Sequence, residues 1–325
     1  RSICMIDFSN CQQLASTYGG SELKKRIKYK NELYMLKFPD PSRAKKIQQS
    51  YINNQFSEYI GCHIFESVGI PVQKTLLGIF KDKDKNQKIC VACRDFKNDE
   101  IELSEFSKLP NSITSITSSI SHNKVNTDLK NIYAIIQEAI PENKQNEVIR
   151  GFWDMFVVDC LIGNNDRHLD NWGVSSDFSF APIYGCGSSF YPLVSIEGAR
   201  DYLSDPSLLK GCAINIHSVY SFNGQKIQYS KIGELDIPEL KQALKRVGPR
   251  IDLEKIKNII YDTPYLAQEL KDLYYKSLEI RYNTYLKKEI DKSLGKDTRS
   301  KTQIRKAERA LRHQKTFSKN EGQNR

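Results

Sequence analysis

Gly163-Asn164-Asn165-Asp166-Arg167-His168-Leu169-Asp170-Asn171 is the most chemically loaded stretch of this 325-residue chain. It follows an apolar run, Phe152 to Ile162, and leads into Trp172-Gly173-Val174, which reads as a strand. The stretch is therefore a helix-to-strand loop, with a carboxylate at Asp166 and an amide at Asn171 five residues later. A loop carboxylate can accept the proton of a hydroxyl nucleophile. An amide oxygen can ligate Mg²⁺, a hard cation that takes oxygen donors. Phosphoryl transfer asks for little more: an oriented nucleophile, a held triphosphate and neutralised charge. A polar turn would also use Asn and Gly for backbone reasons. Asp, Arg and His together, with Asn at this spacing, favour the chemical reading.

Upstream, Tyr18-Gly19-Gly20-Ser21 supplies turn chemistry. Ile27-Lys28-Tyr29 and Glu32 to Phe38 read as strands joined at Lys30-Asn31, and Pro39 and Pro41 stop the sheet. A long helix is expected from about Ser42 to Val68, with Gly69 as its cap. Val72 to Ile79 and Lys88 to Phe96 read as strands around a charged bend, Asp82 to Gln87. Downstream the composition changes. Asn111 to His122 is rich in Ser and Thr, as a polar linker or an autophosphorylation segment would be.

Helices are expected over 128–140 and 144–162, and a mostly β and loop stretch over 171–232. Three helices follow. Asp236 would cap one, with Pro238 in its first turn and Gly248 at its close. A second runs from Ile251 to Tyr261, and a third opens at Thr263 with Pro264 at its first position. Leu266, Leu270, Tyr274, Leu278, Tyr282, Leu286 and Ile290, spaced by four, would turn one stripe to a core.

Apolar residues are 39% and aromatics 10%, which excludes a disordered chain. No apolar run approaches the roughly 20 residues needed to span a bilayer. The longest, Met155 to Ile162, is broken by Asp159. Arg1 to Leu14 has no signal-peptide core, so the expectation is a cytoplasmic protein. Of eight cysteines only Cys90 and Cys93 form a Cys-x-x-Cys pair, too few for a zinc ribbon, so free thiols are expected. The net charge is +10, and residues 296–325 carry +7 of it. A near-neutral body argues against nucleic-acid binding, and the basic tail suits an acidic partner.

The loop Leu161 to Asn171 resembles the catalytic loop of HipA-like serine/threonine kinases, and its Asp-Arg-His-x-x-Asn core is also similar to phosphatidylinositol 3- and 4-kinases. Further segments resemble the HipA-like family in order, from residue 18 to about 290. Gly19-Gly20-Ser21-Glu22-x-Lys24 sits where that family has a phosphate-covering loop. Tyr34-Met35-Leu36-Lys37-Phe38-Pro39 looks like its strand bearing the ATP lysine. Asn54-x-x-x-Glu58-Tyr59 and Val68-Gly69-Ile70-Pro71-Val72 look like its first long helix and the turn beyond. The small size and basic tail look like a cell-translocating member of the family, a bacterial effector that would enter host cells.

The resemblance implies an α+β, two-lobed protein-kinase-like fold: an N-lobe over 1–98, a helical C-lobe over 99–293 and a basic tail over 294–325. It implies an ATP- and Mg²⁺-dependent kinase acting on Ser or Thr hydroxyls of a protein and able to phosphorylate itself. Lys37 would meet the α- and β-phosphates, Glu58 would pair with Lys37, and Gly20 and Ser21 would offer backbone donors. Cys93, Arg94, Asp95 and Phe96 fall at the adenine hinge. Asp166 would be the base, His168 would brace the loop and Asn171 would hold the metal. In one place the chain departs from the family. A second metal-binding Asp is expected where Ala181-Pro182-Ile183-Tyr184-Gly185-Cys186 places Gly185. Glycine has no ligand, which leaves a slowed kinase, a substitute carboxylate such as Asp170, or a nucleotide-binding pseudokinase that serves as an interaction module. A phosphoinositide-type lipid kinase is the other enzyme alternative.

Overall fold

The computed structural model describes residues 6–14, 24–39, 53–112 and 127–296. Among these, strands β1 (Gln12–Leu14), β2 (Lys24–Tyr29), β3 (Glu32–Lys37), β4 (Thr75–Lys81) and β5 (Gln87–Arg94) form one antiparallel sheet in the order β1-β2-β3-β5-β4. The β2–β3 hairpin turns at Lys30 (φ 48°) and Asn31 (φ 66°). Two successive positive φ angles match the right-handed twist of the flanking strands. Strand β5 is apolar without alternation because both of its faces are covered. Val91 and Cys93 pack toward the main core, while Cys90 and Ala92 join Phe8, Ile27 and Leu36 on the other side.

Helix α1 (Asn54–Ser67) lies against β4 and β5. It starts later than the sequence suggests. Asn53 is not helical, at φ −124° and ψ 8°. Its N–H donates to Pro192 O at 3.0 Å and its Nδ2 to Val194 O at 2.7 Å, so a distant segment holds it. Residues 40–52 lie outside the described residues. The helix ends as expected, with Gly69 at φ +73°. Beyond it, the strand expected from Val72 begins at Thr75.

Strand β6 (Leu103–Glu105), helices α2 (Leu129–Ala139) and α3 (Glu142–Ile162) and strand β7 (Gly173–Ser175) follow, with β7 pairing to β6. Stretch 171–232 is less β-rich than expected. It contains α4 (Ile196–Ser204) and α5 (Pro206–Ile214) before the hairpin β8 (His217–Phe222) and β9 (Gln225–Gln228). Both helices are capped by side chains: Ser195 accepts from Gly198 N, and Asp205 accepts from Ser207 N and Leu208 N.

Helices α6 (Pro238–Val247), α7 (Leu253–Tyr261), α8 (Gln268–Arg281) and α9 (Lys287–Ser293) complete the described chain. Two expected caps differ. Asp236 instead receives Lys241 Nζ at 2.7 Å, and Ile237 takes the cap position of α6. Thr263 bonds back to Ile259 O at 2.8 Å, so it closes α7 rather than opening α8. The four-residue stripe is buried except for a half-exposed Tyr282. A spacing of four overshoots a 3.6-residue turn by about 40° each time. One wide π turn, Tyr282–Leu286, takes up the surplus.

At Gly69 an added Cβ would meet only an arginine nitrogen at 3.7 Å, so substitution there tests backbone strain alone. Gly69→Ala is expected to cost about 1–2 kcal/mol for a left-handed Ala, read as a lower urea midpoint with an unchanged slope.

Candidate active site

Asp159 lies in the last turn of α3 with no solvent exposure. A carboxylate there must be paired. Arg167, 1% exposed, supplies the partner: its Nε is 2.8 Å from Asp159 Oδ2 and its Nη2 is 2.9 Å from Oδ1. Burial works against the charge on Arg167, but Asp159 prevails and holds the guanidinium pKa well above its ordinary value. The remaining donor capacity spreads outward. Nη1 donates to Asn171 O at 2.9 Å and to Tyr184 O, and Nη2 reaches Cys186 Sγ at 3.5 Å.

The rest of the loop hangs on this pair. Asn164 donates to Asp159 Oδ1 at 3.2 Å and accepts from Asp166 N at 3.2 Å. Tyr220 OH donates to Arg167 O at 2.8 Å while accepting from Trp172 Nε1 at 2.8 Å. Asn171 Nδ2 donates to Asp166 O at 2.8 Å, which closes the loop on itself and leaves Oδ1 as the acceptor of that side chain. His168 makes one bond within the loop, with its Nδ1 accepting from Asp170 N at 3.3 Å. It is 41% exposed, with Nδ1 3.4 Å from Asp170 and Nε2 4.0 Å from Asp166. Most of the loop's bonds are made by Arg167, to which the sequence alone assigns no role. The available signal is Asp159, an acid that interrupts the apolar run Met155 to Ile162 eight residues ahead of an arginine.

Across from the loop, β3 carries Lys37 and α1 carries Glu58. Their side chains meet, Nζ to Oε1, at 3.1 Å. The same oxygen accepts the N–H of Gly185 at 3.0 Å. Burial pushes the Glu58 carboxyl up, but Lys37 and the Gly185 amide outweigh it and hold the group below its ordinary value. Glu58 is therefore ionised, although only 2% exposed.

In the expected hinge, the side chains serve the protein. Cys93 is buried, Arg94 pairs with Glu32 and Asp99, and Asp95 pairs with Arg26 at 3.1 Å and caps Lys97 N. Phe96 packs edge-on against Tyr184. Of its backbone, Arg94 N and Asp95 N also donate within the protein, to Lys74 O and Leu33 O at 2.8 Å each. Gly20, Ser21, residues 113–121 of the Ser/Thr run and the tail beyond Lys296 lie outside the described residues.

Gly185 has φ +73°, and a Cβ there would lie 2.7 Å from Asn171 Oδ1 and 2.8 Å from Asn171 Cγ. The space for a second ligand is filled by Asn171. The Asp170 carboxylate accepts from Ser107 Oγ and lies beside His168. Among the described residues no three His, Cys, Asp or Glu side chains gather as a metal-binding group. The donors suit a phosphate-bearing ligand at Lys37, but they do not supply the paired oxygen ligands of a full Mg²⁺ clamp.

The chain matches the HipA-like C-terminal domain family over residues 16–248. It is 37% identical over 286 residues to the serine/threonine-protein kinase CtkA of Helicobacter pylori strain J99, covering 85% of each chain. It superposes on the crystal structure of the H. pylori proinflammatory kinase CtkA with a TM-score of 0.79 and 35% identity, covering 90% of this chain and 98% of that one. Its sheet-rich N-terminal region and helical remainder thus form the kinase-like α+β fold of that structure.

Replacing Arg167 with Met would strand the Asp159 carboxylate and remove the donor to Asn171 O and Tyr184 O. A loss of about 3–5 kcal/mol in unfolding free energy is expected. The double variant Asp159→Leu/Arg167→Met should recover part of it, because two apolar side chains leave no buried charge. Urea denaturation of the three proteins measures this.

Proposed function

The chain belongs to the HipA-like family of kinases, and on that premise we propose that it binds ATP between the sheet and the catalytic loop and passes the γ-phosphate slowly to a Ser or Thr hydroxyl of a protein. The observation that carries this reading is the Lys37–Glu58 pair, formed at 3.1 Å and tied through Gly185 N to the segment facing Asp166 and Asn171. A lysine held by a buried carboxylate keeps a fixed position from which to meet phosphate oxygens. In this reading Lys37 meets the α- and β-phosphates, Gly20 and Ser21 donate backbone N–H groups, and the backbone of 93–96 holds adenine. Asp166 accepts the hydroxyl proton. Mg²⁺, when bound, neutralises charge on the phosphates, and Asn171 Oδ1 is the ligand the loop offers it.

Slowness follows from position 185. Charge developing on the γ-phosphoryl lacks one carboxylate-held cation, and one well-placed electrostatic group is worth about 3–4 kcal/mol in a comparable case. The curated relative and the solved structure share the name CtkA, and the former is named a serine/threonine-protein kinase, which favours a protein over a lipid acceptor. The same bare position favours a second reading, in which the chain binds nucleotide as a pseudokinase and works as an interaction module.

Calorimetry and γ-phosphate transfer separate these roles. Lys37→Ala is expected to weaken ATP binding. Asp166→Asn is expected to leave ATP affinity nearly intact while transfer falls roughly 10²-fold or more, as for loss of a positioned base. Unchanged ATP affinity in Lys37→Ala would remove Lys37 from the site.

Restoring the missing carboxylate is a separate test. The sequence alone suggests that Gly185→Asp would speed transfer. With Asn171 in the way and φ at +73°, the variant is instead expected to lose about 1–2 kcal/mol of stability to backbone strain and to gain no activity. A faster variant with an unchanged melting temperature would show that Asn171 yields readily to a second ligand.

A further inference from the structure

One hydroxyl already stands against the loop carboxylate. Ser188 Oγ lies 3.5 Å from Asp166 Oδ2, with the hydroxyl as donor. Spacing between a nucleophile and its base is often loose before the reactants bind. Ser188 is half-buried, whereas its neighbour Ser189 is fully buried.

The chain around Ser188 is fixed on both sides. Gly185 N donates to Glu58, Ser189 N donates to Cys186 O at 3.0 Å, and Ser57 Oγ donates to Ser189 O at 2.8 Å. Gly187 passes close to the acid that holds Lys37: a Cβ on it would lie 3.3 Å from Glu58 Oε2. The Ser188 hydroxyl therefore sits on Asp166, one residue from the Lys37–Glu58 pair.

We propose that Ser188 is a phosphoacceptor for the chain's own site, modified within the same molecule. The inference rests on the ATP-binding reading above and names one acceptor for it. Ser188 Oγ forms a bond to the γ-phosphorus of ATP, and the bond from that phosphorus to the β,γ-bridging oxygen breaks. The serine proton passes to Asp166 Oδ2, and ADP leaves with the bond's electron pair.

An acceptor built into the site avoids a bimolecular encounter. Well-oriented intramolecular reactions reach effective molarities of about 10⁵–10⁸ M. That advantage matters most where the electrostatic assistance is incomplete, as at Gly185. The reaction also limits itself. A phosphate on Ser188 would stand against the Asp166 carboxylate, where the hydroxyl of any other acceptor would have to lie.

The test uses the full chain with Mg²⁺ and ATP, followed by intact mass measurement, phosphopeptide mapping and calorimetry. One phosphate per chain is expected, on Ser188, with a first-order rate constant independent of protein concentration and ADP release that stops at one equivalent. Ser188→Ala should bind ATP and stay unmodified, Ser188→Thr should be modified at the new hydroxyl, and Asp166→Asn should stay unmodified. Phosphate on other residues, a rate constant that rises with protein concentration, or bound ATP with no transfer to Ser188 would each overturn the inference and leave nucleotide binding standing. Failure to bind ATP at all would overturn both.

Discussion

Asp159 and Arg167 form the contact on which the site depends. An acid with no solvent exposure at the end of an apolar helix demands a partner, and the partner comes from the loop that the helix launches. A buried ion pair is weak support for stability, since desolvation can consume its Coulomb energy. Its geometry is more informative. A guanidinium fork offers five donors in one plane. Here they reach α3, the carbonyl of Asn171, the carbonyl of Tyr184 and the sulfur of Cys186. One side chain thus fixes the spacing between the two loop functional groups and the segment opposite them.

Glu58 adds a second fixed point. Its Oε1 receives a side-chain cation from β3 and a backbone N–H from residue 185. A sheet lysine, a helix carboxylate and a loop amide are thereby held at hydrogen-bonding distance. The carboxylate stays charged despite its burial because Lys37 and the amide favour the ionised form.

Much of this was legible in the sequence, and the parts that were not have physical reasons. The Lys30-Asn31 hairpin, the Gly69 cap and the helix before the loop are local features, written in residues that are neighbours in the chain. Lys37, Glu58, Asp166 and Asn171 were named by resemblance, and the structure brings Lys37 to Glu58 and Asp166 to Asn171. The late start of α1 was hidden because Asn53 answers to Pro192 and Val194, far away in sequence. Thr263 looked like a cap because its own helix could not be told from the next. The caps Ser195 and Asp205-Pro206 are readable, but they lie in 171–232, which reads as mostly β and loop. The role of Arg167 shows only through its buried partner Asp159, whereas a titratable residue such as His168 attracts a functional role on sight.

The hydrogen bond to Glu58 comes from the main chain of residue 185, not from a side chain. Any residue except proline would provide it. The linkage between α1 and the loop segment therefore needs no side chain at position 185. A residue with no side chain to offer a ligand can still join α1 to the loop segment, so chemical supply and mechanical continuity are separate properties of this position. A chain of this design keeps its sheet lysine in register with its loop although position 185 carries no side chain.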